Sequence, residues 1–227
     1  MLIANIVAIF QKELQSYLKS PFAYIIAAIF WLVSGFFFGF ILQEIVQGVA
    51  FQEQTRGMAA AIDVPSEFIN VFFDFMSSLL LVLLPALSMG LYAEERKRGT
   101  LELLATSPLN NWVVALGKLL GVVTFFTILI VPLWLYQIII LSASQPPVKL
   151  PPILLANLGL VIVAMAILSL GMFISSLTES GILAYILTFV LILFLWILDA
   201  IAGNIGGVFG EILSHLSLFN YYQDLTR

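Results

Sequence analysis

Five consecutive charged residues, Glu94, Glu95, Arg96, Lys97 and Arg98, stand inside the run AEERKRGTLELLATSPL at 93–109. Paired glutamates serve intramembrane proteases that process prenylated proteins. Those enzymes also need an arginine four residues after the second glutamate, where this chain has Gly99, and histidines within their spans. The only histidine is His215, outside every apolar segment, which also argues against a rhomboid-like serine protease and against multi-histidine metal sites. With no cysteine there is no disulfide, thiolate metal site or cysteine nucleophile. Gly117-Lys118 lacks both the upstream glycine and the following hydroxyl of a phosphate-binding loop. Two acids, Asp74 and Asp199, fall within long apolar segments, where a charge costs about 2.5–3.5 kcal/mol at the bilayer centre. They are candidates for a translocation path, and solvation near the segment ends is the alternative. Glu179, in a short polar turn, is a candidate cap or contact.

The elements that position these residues are membrane helices. Of 227 residues 62% are hydrophobic and 10% charged, and the mean hydropathy is +1.11. Soluble domains carry about 25% charged residues. An apolar excess of this size calls for lipid as solvent. Five segments reach the roughly 20 apolar residues of a span, at about 22–42, 68–93, 119–141, 153–175 and 182–201. A helix is expected in each, because lipid leaves backbone groups no other partner. Between them lie a polar excursion at 43–67, a loop at 94–118, a proline-rich connection at 142–152 and an outer segment at 202–227. With a cytoplasmic N-terminus, Lys12, Lys19, Arg96, Lys97, Arg98 and Lys118 lie inside and Arg56, Lys149 and Arg227 outside, six against three. By this reading the charged run is a cytoplasmic loop, and its basic residues have a topological explanation.

Residues 2–19 differ from the spans. Ile3, Val7, Phe10, Leu14 and Leu18 share one helical face, and Pro21 stops or kinks the helix. This predicts an amphipathic helix in the membrane interface, or else a cytoplasmic extension of the first span. After the charge cluster, Gly99 breaks the chain and Thr100 is placed to cap a short helix with Glu102 in its first turn. Leu101, Leu103 and Leu104 give that helix an apolar side, Pro108 ends it and Asn110 caps the next. The leucines either dip into the interface or form a docking knob for a soluble partner. Gly35-x-x-x-Gly39 and Gly117-x-x-x-Gly121 predict close helix approach without naming the partner. Pro132 is expected to kink its span, with the freed backbone satisfied by neighbours.

The loop, with Glu94, Glu95, Gly99, Thr100, Glu102, Leu103, Leu104 and Pro108, followed by Gly117-Lys118, resembles the cytoplasmic loop of permease subunits of the ABC type-2 transporter family. QKELQSYLKSPFAYI, with Lys12, Glu13, Leu14 and Pro21, is similar to that family's first helix, and residues 175–198 resemble its fourth-to-fifth helix junction. The gliding-motility and nitrous-oxide-reductase-maturation branch is the nearest in pattern. The resemblance implies one all-α permease domain over 1–227, in the cell (inner or plasma) membrane. It implies partners as well: an ABC ATP-binding subunit that holds ATP and magnesium, a second permease copy or paralogue, and membrane lipid, with no nucleic acid. ATPase coupling would fall to Glu95, Gly99, Thr100, Leu101, Glu102, Leu103, Leu104, Pro108 and Glu179, with 2–19 a second contact. Catalytic, cofactor and metal residues are expected to be none in this chain. The family usually has six spans; five leave Arg227 outside, so the chain is expected to stop before a sixth helix. The substrate is open among lipids, drugs, polysaccharide intermediates and hydrophobic peptides, and a non-transporting scaffold fits the residues alone.

Overall fold

The computed structural model describes residues 2–55, 64–101, 110–142 and 150–202. Seven helices are described in full: α1 (Leu2–Lys19), α2 (Pro21–Thr55), α3 (Val64–Ser88), α4 (Ala93–Lys97), α5 (Asn111–Ser142), α6 (Leu150–Ser176) and α7 (Gly181–Ala202). Five of them, α2, α3, α5, α6 and α7, contribute the stretches long and apolar enough to cross a membrane, as the hydropathy pattern predicts. Their boundaries differ from it in instructive places. α2 continues as one 35-residue helix through the polar stretch expected to be an excursion, as far as Thr55. No helix breaker interrupts that stretch before Gly57 apart from Gly48, and a lone glycine is tolerated in a helix. α6 begins at Leu150, so Pro151 and Pro152 occupy its first turn, where a missing backbone N–H costs nothing.

α3 is the central helix. It packs against α2, α6 and α7, while α5 lies against α6 and α1. The core at their seams is built from large apolar side chains, among them Phe30, Phe72, Phe126, Leu84, Leu129 and Ile130. One aromatic group ties three helices together: Phe38 of α2 meets Phe68 and Phe72 of α3 and Tyr136 of α5, all edge to face. Phe37 stacks on Phe75 at 4.0 Å, whereas Phe36 and Phe40 face outward. Pro132 interrupts the backbone ladder of α5, and Trp31 of α2 donates its indole N–H to the Leu129 carbonyl just below the interruption, at 2.8 Å. The carbonyl that Pro132 leaves without its helix donor is that of Ile128, one residue earlier in the chain.

The two glycine motifs part ways. A Cβ on Gly117 would lie 2.7 Å from the Ile9 side chain and one on Gly121 would lie 2.7 Å from Cβ of Glu13. Tyr17 then stacks on Phe125 at 5.0 Å. Contacts that step four residues at a time on both helices mean that α1 runs along α5, in the same direction. Glu13 is the one buried residue of α1; of the apolar stripe, Phe10 and Leu14 are half-buried, and Ile3, Val7 and Leu18 are exposed. A Cβ on Gly35 or Gly39 would meet nothing within 4 Å among the described residues. Gly117→Ala with Gly121→Ala is therefore expected to lower the melting temperature of the purified protein, by an overpacking cost of about 1–3 kcal/mol. Gly35→Ala with Gly39→Ala should leave it unchanged, and equal effects from the two pairs would contradict this packing.

Candidate coupling site

The charged run folds into a junction. α3 ends at Ser88, a turn through Gly90 follows, and α4 holds Ala93–Lys97. A five-residue helix has almost no internal hydrogen bonding, so its first N–H groups need outside partners. Ser175, fully buried near the end of α6, supplies them: its hydroxyl oxygen accepts from Tyr92 N at 3.1 Å and Ala93 N at 3.0 Å, and donates to the Met89 carbonyl at 2.9 Å. Gly171, one turn earlier, presses directly on Ser88, so only glycine brings α6 this close to α3. Gly99 ends α4 at φ +69°, a left-handed conformation in which a side chain would be strained. Thr100 and Leu101 then begin a new helical turn, with the Thr100 hydroxyl donating to the Glu95 carbonyl at 3.1 Å.

The charges of α4 divide between two sides. On one side is Lys118 of α5, only 2% exposed. Its three ammonium hydrogens meet three acceptors: the Leu91 carbonyl at 2.7 Å, Glu13 Oε2 at 3.2 Å and Glu95 Oε1 at 3.0 Å. The ammonium also lies 5.1 Å from the centre of the Tyr92 ring. Lys12 reaches the same Glu95 oxygen at 3.2 Å from the exposed side. Two lysines and two glutamates thus join α1, α4 and α5 with no net charge. Burial pushes the Glu13 carboxyl above its usual range, against the opposing pull of Lys118. On the other side Arg96 donates to the Ser176 carbonyl at 2.9 Å and lies 3.7 Å from Glu179. Tyr17 of α1 closes the arrangement by donating to the Leu87 carbonyl at the end of α3, at 2.6 Å.

Of the residues expected to couple, Glu95 sits at the heart of this junction, Gly99 and Thr100 leave it, and Glu179 touches it through an exposed pair with Arg96. Leu101 lines an open groove with Tyr92, Trp112, Val114, Ala115 and Ser176, and Trp112 is 75% exposed there. Glu102, Leu103, Leu104 and Pro108 lie outside the described residues. Asn110 caps α5 as expected, its Oδ1 accepting from Trp112 N at 3.3 Å. The turn at 177–180 is capped by Ser180, whose hydroxyl accepts from Leu183 N, not by Glu179. Asp74 is on the exposed face of α3, about 21 Å along the helix from Ser88, and so stands apart from the junction. Asp199 lies in the last turn of α7, and its side chain is outside the described residues. Glu13, Lys118 and Ser175 stand within the blocks that carry the family resemblance, but sequence reasoning gave none of them a role at this junction. Two signals were present: a lysine within the apolar run LGKLLGVV, and an acid four residues after Ile9 and four before Tyr17 on the packed face of α1.

Removing one partner of a buried ion pair leaves the other charge stranded, at a cost of about 3–5 kcal/mol. Lys118→Met is expected to destabilise the protein on that scale, and adding Glu13→Leu should recover part of the loss; thermal unfolding in lipid nanodiscs measures both. The Glu13 carboxyl gives a pH signature. Its affinity for a proton is higher in the folded state, so stability falls as pH rises from 4.5 through the folded value. Glu13→Gln should flatten that slope, and an unchanged slope would assign it to another group.

Lys12 of α1, the basic residues of α4 and Lys118 near the start of α5 gather at this one end of the bundle, around a loop that leaves the membrane helices. A family model described as ABC-2 family transporter protein matches residues 7–224, which takes in nearly all of the helices described above. A comparison with curated proteins returned no match. With five helices among the described residues long and apolar enough to cross a membrane, and a family match over nearly its whole length, the chain is a multi-pass membrane protein that belongs to the ABC-2 transporter family.

Proposed function

We propose that this chain is the permease subunit of an ABC exporter, driven by a separate ATPase that docks on the loop at 99–108. The observation that carries the reading is the junction that roots this loop. Glu95 is tied to α1 and α5 through Lys12 and Lys118, and the adjacent Arg96 is tied to the end of α6. A push delivered to α4 through Gly99 therefore reaches α1, α5 and α6 by direct side-chain contacts. The groove beside Leu101, with Trp112 exposed in it, offers an apolar contact for the partner.

The mechanism follows from that linkage. ATP and magnesium are bound by the partner, whose closure moves the loop. The junction turns this displacement into a tilt of α5 and α6 relative to α3, and two permease chains, copies or paralogues, enclose the path between them. The clustering of Lys12, Lys118 and Arg96–Arg98 at one end supports a cytoplasmic N-terminus in the inner or plasma membrane. Export as the direction, and the gliding-motility and nitrous-oxide-reductase-maturation branch, rest on the resemblance of the loop and the N-terminal block.

The test is affinity isolation of the full-length protein from its native membrane in mild detergent. A stoichiometric ATP-binding subunit is expected to co-purify and to be lost when residues 100–104 are replaced. Glu102→Lys alone should weaken docking or leave ATP hydrolysis uncoupled from transport. Absence of any ATPase, under conditions that keep other transporters intact, would sink the coupling reading in favour of a membrane scaffold.

A further inference from the structure

At the end of the bundle opposite the charged junction, two amides meet inside the protein. Gln137 of α5 and Asn157 of α6 are each 1% exposed. Gln137 lies nineteen positions after Lys118 on the same helix, about 28 Å farther along its axis. Asn157 Nδ2 donates to Gln137 Oε1 at 2.9 Å and to the Ile153 carbonyl at 2.8 Å. The second bond fixes which way the Asn157 amide points. It leaves Asn157 Oδ1 and Gln137 Nε2 with no hydrogen-bond partner among the described residues. Trp134, one turn earlier on the same side of α5, has an indole N–H in the same condition.

As a clamp between helices this is a poor arrangement. One amide–amide bond contributes little in lipid, where alternatives within the bilayer compete. Against it stand a buried donor and a buried acceptor left unpaired, which is the costly outcome. Leucines of similar volume would join the helices without that cost. The chemistry of the two free atoms is specific. Nε2 offers hydrogens and Oδ1 accepts one, so the complementary group must both accept and donate. A hydroxyl does both. An ether or ester oxygen only accepts, and an ammonium only donates. All the groups in the pair are neutral, which suits a neutral ligand.

We propose that Gln137 and Asn157 form a recognition point for a neutral hydroxyl group at the α5–α6 seam. The seam is closed in this structure. Pro132 removes one backbone bond from α5 five residues before Gln137, a weakened point at which the terminal segment of α5 can bend away from α6. Opening exposes the donor and the acceptor together. The inference is independent of any ATPase partner.

Two sources carry such a group, an amphiphile bearing a hydroxyl and water itself, and one experiment separates them. The full-length chain in lipid nanodiscs is titrated with 1-octanol and, in parallel, with its isomer heptyl methyl ether, which accepts but does not donate. Thermal unfolding is recorded for the natural chain, for Gln137→Leu with Asn157→Leu, and for Gln137→Leu alone. The expected result is a saturable upward shift with octanol and not with the ether, lost in both variants. The variants should be no less stable than the natural chain when no probe is added. Indistinguishable responses to the two probes in the natural chain would overturn the proposal, as would an octanol shift that persists in the variants. Failure of both variants to fold, or their loss of stability without a probe, would assign the pair to a structural clamp or a resident water and overturn it equally.

Discussion

A lysine ammonium held among apolar helices is the constraint around which one end of this protein is organised. An isolated charge in such a place is costly enough that it must be neutralised, hydrogen-bonded or moved to water. Lys118 is neutralised and bonded in place, and each of its three partners comes from a different part of the chain: α1, the turn after α3, and α4. The glycines at 117 and 121 follow from this, since α1 has to come within methyl distance of α5 for Glu13 to reach the ammonium. So does the placement of α1, which presents an acid to the protein and leaves Ile3, Val7 and Leu18 on the outside. Removing Lys118 strands the carboxylate of Glu13 and takes from Glu95 its buried partner, so this one ammonium ties the junction together.

The same end shows how a very short helix is made to hold. α4 has too few residues for a hydrogen-bond ladder, yet the amides of Tyr92 and Ala93 at its start are satisfied by Ser175, its Arg96 reaches the Ser176 carbonyl at the end of α6, and Glu95 is pinned by two lysines. Its charges therefore serve packing as well as topology. A run of adjacent acids and bases reads in sequence as a solvated signal for membrane orientation. In three dimensions Glu95 faces inward to α1 and α5, and Arg96 faces α6.

Much of the architecture could be read from the residues. Five apolar stretches became five long helices because lipid offers a backbone no other solution. The cap at Asn110 and the break at Gly99 were legible for local reasons of the same kind. What escaped was pairing between distant segments. Hydropathy ranks Glu13 and Lys118 as polar residues near helix ends, to be placed in water; only the meeting of α1 with α5 makes burial tolerable for both. Gly35 and Gly117 open motifs of identical spacing, and no local property says that one meets a helix of this chain and the other does not. Ser175 was invisible for a similar reason, because its partners lie more than eighty residues earlier.

That separation has a consequence for biosynthesis. Residues 92–97 are made and delivered to the membrane well before Ser175 has been synthesised. Until α6 is inserted, the amides at the start of α4 have no protein acceptor and depend on water. The nascent loop is thus held in a hydrated, unfinished form through insertion of the third span. It takes its final shape only when the fourth arrives, and a chain arrested earlier would expose this segment to the quality-control proteases that survey the membrane surface.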